Sequence, residues 1–167
     1  MNAIHPECGS VPAPDQLESS MTERLEFLAG DIAVDDRGRL SFCNDFDMAR
    51  VRRFYVVSNH QPGFVRAWHA HRQETKYAYV VSGAALFAAV EIDDWENPDP
   101  ALPVTRMTLS EDKPGVLCIP GGHAHGFMTL TPETKVMFFS TTALDESLGD
   151  DIRYPHDYWK PWHIEPR

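Results

Sequence analysis

A chain of 167 residues with 43% hydrophobic side chains can bury one sizeable core and is short for two. Its net charge of −10 argues against nucleic acid as a partner, because phosphate binding usually needs a basic surface. No run of about 18 apolar residues and no charged-then-apolar leader occurs, so no helical membrane span or secretory signal is expected, and the reading is of a soluble cytoplasmic protein.

In chain order, residues 1–20 carry Pro6, Pro12 and Pro14 with little periodicity and read as a mobile leader; residues 21–167 read as one domain with its core at about 51–142. Residues 21–28 predict a short helix, with Ser20 or Thr22 as cap. Residues 32–34 and 40–43, joined by Asp35-Asp36-Arg37-Gly38, predict a hairpin. From residue 51 one unit repeats, a run of β-branched and aromatic residues followed by a turn. The runs are 51–58, 64–71, 76–82, 84–92, 104–109, 115–119, 124–130 and 135–142. Eight short strands at this pitch, with no long helical pattern between them, predict an all-β sandwich or jelly-roll barrel with short peripheral helices. Residues 145–167 begin acidic and end with Tyr154, Tyr158, Trp159 and Trp162, a tail expected to pack on the barrel or on a second subunit. Cys8, Cys43 and Cys118 are odd in number and lack Cys-X-X-Cys spacing, so neither a disulfide framework nor a thiolate metal site is indicated.

The charges are unevenly spread. Between residues 50 and 76 lie Arg50, Arg52, Arg53, Arg66, Arg72 and Lys76 against one acid, Glu74, which would suit a small anion such as a diphosphate. In the same stretch, residues two apart on a strand share a face, so His69 and His71 can point together into whatever the sheet encloses.

The spacing of these residues resembles the cupin family. Gly63, His69, His71, position 76 and Gly83 fit its first motif; Pro120, Gly122 and His125 fit its second. The resemblance implies a double-stranded β-helix, a jelly-roll barrel. One position departs from it, since Lys76 stands where the family has a metal-binding glutamate. An ammonium costs a nearby cation about 4 kcal/mol per pair of unit charges at an effective dielectric of ~20, so metal binding is disfavoured. A lysine can instead donate to an oxygen that becomes negative while a histidine takes a proton from the adjacent carbon, so the pocket reads as a metal-free, cofactor-free enolisation site.

Within the cupins the chain resembles two groups of sugar-nucleotide enzymes. Arg66-Ala67-Trp68-His69, Lys76 and the segment from Ile119 to Phe127 look like the dTDP-4-dehydrorhamnose 3,5-epimerases. Val51-Arg52-Arg53-Phe54-Tyr55, the pair His69 and His71, and Asp150-Asp151-Ile152-Arg153 look like the sugar-nucleotide 3,4-ketoisomerases. The epimerase resemblance implies that His69 is the base, that Lys76 faces the keto oxygen and that Arg66 helps hold the diphosphate. It places Phe138 where a tyrosine acts as general acid, and it leaves the aspartate that orients the base without a match. Tyr55, Tyr77 and Tyr79 are the substitute acids, beside His71 and His125, and Tyr79 is taken with the catalytic set. Arg53, Tyr55, Arg66, Arg72 and Phe138 are taken as substrate-binding. The expected protein is a homodimeric epimerase of a nucleotide-linked 4-keto sugar, with a 3,4-ketoisomerase as the alternative; a metal-dependent cupin and a non-catalytic sugar-nucleotide-binding cupin are the remaining readings. A strict pleat would turn Arg66 away from His69, so Arg66 needs a bulge, a bend, or a role in the neighbouring subunit's site.

Overall fold

The computed structural model describes residues 24–165. The expected leader at 1–20 and the beginning of the expected helix, at 21–23, lie outside the described residues. Along the chain run β1 (Glu26–Ala29), β2 (Asp31–Asp35), β3 (Gly38–Phe42), β4 (Arg53–Ser58), β5 (Val65–His71), β6 (Lys76–Ser82), β7 (Ala84–Glu91) and β8 (Thr105–Ser110). There follow β9 (Gly115–Ile119), β10 (His123–Thr129), β11 (Lys135–Ser140), α1 (Leu144–Gly149) and β12 (Ile152–Arg153).

Two five-stranded antiparallel sheets face each other, one in the order β1-β9-β6-β11-β4 and the other β12-β5-β10-β7-β8. Neighbours within each sheet are mostly distant in sequence, as in a jelly-roll barrel of the cupin type. The β2–β3 hairpin stands apart, on the turn expected at 35–38. Alternation along the strands fills the interior: Ala78 and Val80, Val136 and Phe138, Leu117 and Ile119, Ala85 and Phe87 all pack in one core cluster with Phe127. Gly83, which closes the first motif, has φ +74°, and a Cβ there would lie 2.5 Å from the hydroxyls of Thr131 and Thr134. Only glycine meets both demands.

The helix expected over 21–28 is corrected from residue 26 onward. Glu26–Ala29 is an edge strand paired with β9, because Phe27 opposite Leu117 reaches the core, and a sheet edge supplies partners for backbone groups that a short isolated helix would satisfy poorly. The aromatic tail folds back on its own barrel. Trp159 is buried on the outer face of the second sheet against Trp68, edge to face at 5.3 Å, with Tyr154, Tyr158 and Trp162 around them. Burial of such rings contributes roughly 2–3 kcal/mol each. The same segment, laid against β5, delivers β12 to the edge of the histidine-bearing strand. Among the described residues no helix is long and apolar enough to cross a membrane.

Candidate active site

One open end of the barrel holds a cavity lined by residues of both sheets. From the second sheet come His69 and His71 on β5 and His125 on β10, directly across from His69 in the strand register. The ring of His125 lies 6.1 Å from that of His69 and 6.3 Å from that of His71, so three imidazoles share one wall. From the first sheet come Lys76 on β6, Phe138 on β11, and Arg53 and Tyr55 on β4. Register explains the grouping, since Ser140 pairs with both Lys76 and Arg53, and Phe138 pairs with both Ala78 and Tyr55. Bases occupy one wall and proton or hydrogen-bond donors the other.

Arg66 also lines this cavity. Between the pairs His69–His125 and Arg66–Phe127 the register shifts, with three steps along β5 matching two along β10. The extra residue is a bulge, one of the three alternatives expected for Arg66, and it turns Arg66 to the face of His69. Gly126 admits it, because a Cβ there would lie 2.4 Å from that of Ala67. The Arg66 guanidinium is exposed at the rim, with its Nε donating to Asn59 Oδ1 at 2.8 Å.

Two expected site residues lie elsewhere. Tyr79 is an odd number of steps from Lys76 on β6, so it projects from the outer face and packs with Tyr77, Val116 and Cys118; Tyr77 goes with it, and neither faces the cavity. Arg72 follows the end of β5, where its exposed guanidinium sits 4.6 Å over the ring of Trp95. That contact is a cation–π interaction outside the cavity.

Three residues named in the sequence reading were given no site role there. Glu74 is fully buried behind Lys76, whose Nζ donates to its Oε1 at 2.6 Å. Arg53 and Ser140 Oγ donate to the same oxygen, Arg53 at 3.0 Å, and Ser147 Oγ donates to Oε2 at 2.7 Å. The other two are Asp151 and Arg153, brought to the cavity by α1 and β12 and joined by an ion pair of 2.7 Å. Arg153 Nη1 lies 3.4 Å from His69 Nε2; a guanidinium only donates, so this contact requires an unprotonated Nε2. Asp151 lines the cavity with His69, and its hydrogen bonds go to Arg153 and not to the imidazole.

The electrostatics follow from burial. Burial first, and Arg153 second, bring the His69 pKa down to about 4 against the opposing pull of Asp151, so the imidazole is neutral at pH 7. His71 and His125 are lowered as well, chiefly by burial. The Nδ1 atoms of both are buried without a hydrogen bond; His71 Nδ1 is 3.2 Å from Glu74 Oε2 but out of line for one. Burial raises the Tyr55 phenol to about 12, which keeps it protonated. Burial also opposes ionisation of Glu74, yet hydrogen bonds from Lys76, Ser140 and Ser147 outweigh it and bring the pKa down to about 2. Among the described residues no group of three or more His, Cys, Asp or Glu side chains is arranged to hold a metal ion.

A neutral base, a cation and a protonated phenol around one cavity can remove a carbon-bound proton, hold the resulting oxyanion and return a proton from another direction. Comparison with known proteins agrees with that chemistry. A family model described as dTDP-4-dehydrorhamnose 3,5-epimerase matches residues 31–157. The spore coat polysaccharide biosynthesis protein SpsL of Bacillus subtilis is 29% identical over 127 residues, covering 74% of this chain and 82% of that protein. A probable low-salt glycan biosynthesis epimerase of Haloferax volcanii is 27% identical over 132 residues, covering 75% and 83%. Among solved structures, a dTDP-4-dehydrorhamnose 3,5-epimerase of Bacillus anthracis with TDP and PPi bound has a TM-score of 0.66 at 21% identity, covering 89% of this chain and 90% of that one. A 3,4-ketoisomerase of Thermoanaerobacterium thermosaccharolyticum in complex with TDP has a TM-score of 0.60 at 17% identity, covering 83% and 93%. At such identities these two likenesses speak to the fold. The family match extends over most of the chain and takes in all the cavity residues named above, so the protein belongs to the dTDP-4-dehydrorhamnose 3,5-epimerase family and is an enzyme of the isomerase class.

Proposed function

We propose that the protein inverts a carbon next to the ketone of a nucleotide-linked 4-keto deoxysugar, without a metal or cofactor. One observation carries this reading: imidazole bases on one sheet face a cation and a phenol on the other across a cavity of about 260 Å³. That volume is at the small end for an organic ligand. It suits the sugar ring, with the nucleotide outside at the rim near Arg66.

In this mechanism His69 takes the proton from the carbon beside the ketone and Lys76 hydrogen-bonds the enolate oxygen. Tyr55 returns a proton from the opposite wall. It replaces the phenol missing at Phe138, the residue paired with it across β4 and β11, and the two rings stack at 5.4 Å. Phe138 then serves as an apolar floor. Arg66 and Arg53 supply positive charge for the diphosphate and the sugar oxygens. Carbon acids of this kind are weak, so the oxyanion donor matters as much as the base.

A 3,4-ketoisomerase is the second reading. It is favoured by the three imidazoles on one wall, which can pass a proton between neighbouring positions on a single face. Incubation with a dTDP-4-keto-6-deoxy sugar in heavy water, followed by NMR, separates the two. Epimerisation predicts deuterium at C3, C5 or both with the ketone still at C4, in the presence of a chelator as in its absence. A ketone moved to C3 would replace this reading with the isomerase, and loss of turnover on chelation would replace it with a metal enzyme.

The names of the relatives suggest a role in deoxysugar supply for a polysaccharide or glycan. A cysteine pattern without a disulfide framework suits the cytoplasm. The working unit is read as a homodimer, on the exposure of Phe54 and Val56 along the edge strand β4. Light scattering is expected to give the mass of two chains, and a monomer mass at working concentrations would refute it.

A further inference from the structure

We propose that Glu74 is a positioning residue of this enzyme: it holds the Lys76 ammonium aimed into the cavity and, through Ser147, seats the segment that carries Asp151 and Arg153 to His69. The proposal rests on the reading of Lys76 as the donor to the enolate oxygen. The geometry that supports it is specific. Glu74 is 1% exposed, does not itself line the cavity, and receives hydrogen bonds from four side chains on four different elements. They are Lys76 of β6, Arg53 of β4, Ser140 of β11 and Ser147 of α1.

A fully buried carboxylate with this many charged and hydroxyl donors costs more than an apolar residue would, so it calls for a role. Lysine has a long flexible stem, and an ammonium without a fixed partner would sample several rotamers or give up its proton. Glu74 removes both freedoms. The anchoring reaches further, since Asp150 at the end of α1 accepts from the backbone N–H groups of Arg72 and Gln73 at 3.0 and 2.9 Å. The loop of residues 72–74 therefore clasps the α1–β12 segment at two points, and that segment lies on the edge of the strand bearing His69.

The charge balance around Lys76 gives a readout that a purely structural role would not move. Burial lowers the Lys76 pKa and the ion pair with Glu74 raises it again. The other groups facing it are Arg53, the Tyr55 ring at 5.5 Å, Asp151, and the imidazoles of His69, His71 and His125. Of these, the Glu74 carboxylate is the anion in hydrogen-bond contact.

The test uses the full chain with ¹³C-labelled lysine. There are four lysines, Lys76, Lys113, Lys135 and Lys160, so the Lys76 resonance is assignable through Lys76→Met. In Glu74→Gln the Lys76 titration is expected to move down by about one pH unit or more, as loss of a contacting charge does. With it, kcat on the 4-keto sugar nucleotide should fall about 100-fold with KM within a few-fold, and the alkaline limb of kcat should follow Lys76. Glu74→Asp should recover a large part of both. An unshifted Lys76 titration overturns the proposal, as does a wild-type kcat in Glu74→Gln. If the wild-type protein does not turn over this substrate, the functional reading falls and the Lys76 titration alone decides the role of Glu74. Should Glu74→Gln fail to fold, Glu74→Gln/Lys76→Met removes both charges; a kcat within about tenfold of Lys76→Met alone supports the proposal, the remaining loss coming from the unseated α1–β12 segment, and a further loss of about 100-fold overturns it.

Discussion

Replacing His69 by alanine is expected to lower kcat by about 10²- to 10⁴-fold, the usual range for loss of a positioned base, while thymidine diphosphate still binds within a few-fold of wild type. The split follows from where the groups sit. His69 lies inside the cavity beside Arg153, whereas Arg66, the proposed diphosphate contact, is exposed at the rim and held there by Asn59. Proton abstraction belongs to the transition state, so its loss should appear in kcat and leave binding of the nucleotide alone. The pH profile gives an independent check. With its pKa brought to about 4 by burial and Arg153, His69 accepts a proton throughout the neutral range, and this competence is lost only as pH falls through that value. The wild-type acid limb is therefore expected near pH 4 and not near the ordinary imidazole value of about 6.5. Wild-type turnover in His69→Ala, measured by loss of the substrate α-proton, would transfer the role of base to His71 or His125.

Much of this arrangement is legible in the residues. Strand pitch from residue 53 to residue 140 is local information, and an antiparallel jelly-roll is what such a pitch packs into. The shared cavity of His69, His71, Lys76 and His125 follows from motif spacing, and parity left a bulge beside Arg66 as one of three alternatives. The Tyr79 assignment failed on a parity that was equally available: it lies three steps from Lys76 and so faces outward. Arg72 failed because the strand ends at His71, and beyond a strand end alternation no longer fixes direction. Residues 26–29 were read as helix because a short mixed run looks alike in either state, and only the partner strand β9 decides it.

Asp151 and Arg153 reach His69 through α1 and a two-residue strand, a path that no local pattern encodes. Glu74 left a trace, being the single acid among six basic residues between positions 50 and 76. The cupin frame drew attention to position 76 and past it. The carboxylate that the motif lacks at 76 stands two residues earlier, where it serves as the partner of the lysine instead of as a metal ligand.

Removing that carboxylate is expected to have the largest effect on stability of any single change at the site. Glu74→Ala leaves the Lys76 ammonium, 5% exposed, without its counter-charge and strands the Ser147 hydroxyl, while Ser140 and Arg53 keep only their hydrogen bonds to Thr142. Breaking a buried pair from one side costs about 3–5 kcal/mol, which for a chain of this size lowers Tm by roughly 10 °C. Glu74→Gln/Lys76→Met should recover part of this, because no buried charge is then left unpaired. The pH dependence has a definite sign. The Glu74 pKa is depressed to about 2 in the folded protein from an ordinary 4.5, so its contribution is fully present above pH 4.5 and is lost as pH falls through 2. The lowered histidine pKa values destabilise the fold as pH falls below about 6.5, equally in wild type and variant only until the folded histidines protonate; Glu74 partly offsets burial at His71 and His125, so beyond that point the variant loses more. The stability difference between wild type and Glu74→Ala, measured by denaturant titration, should therefore widen as His71 protonates on acidification and shrink again as pH falls through 2. A difference below 1 kcal/mol at pH 7, or one that does not shrink as pH falls through 2, would show that Glu74 does not hold this end of the barrel together.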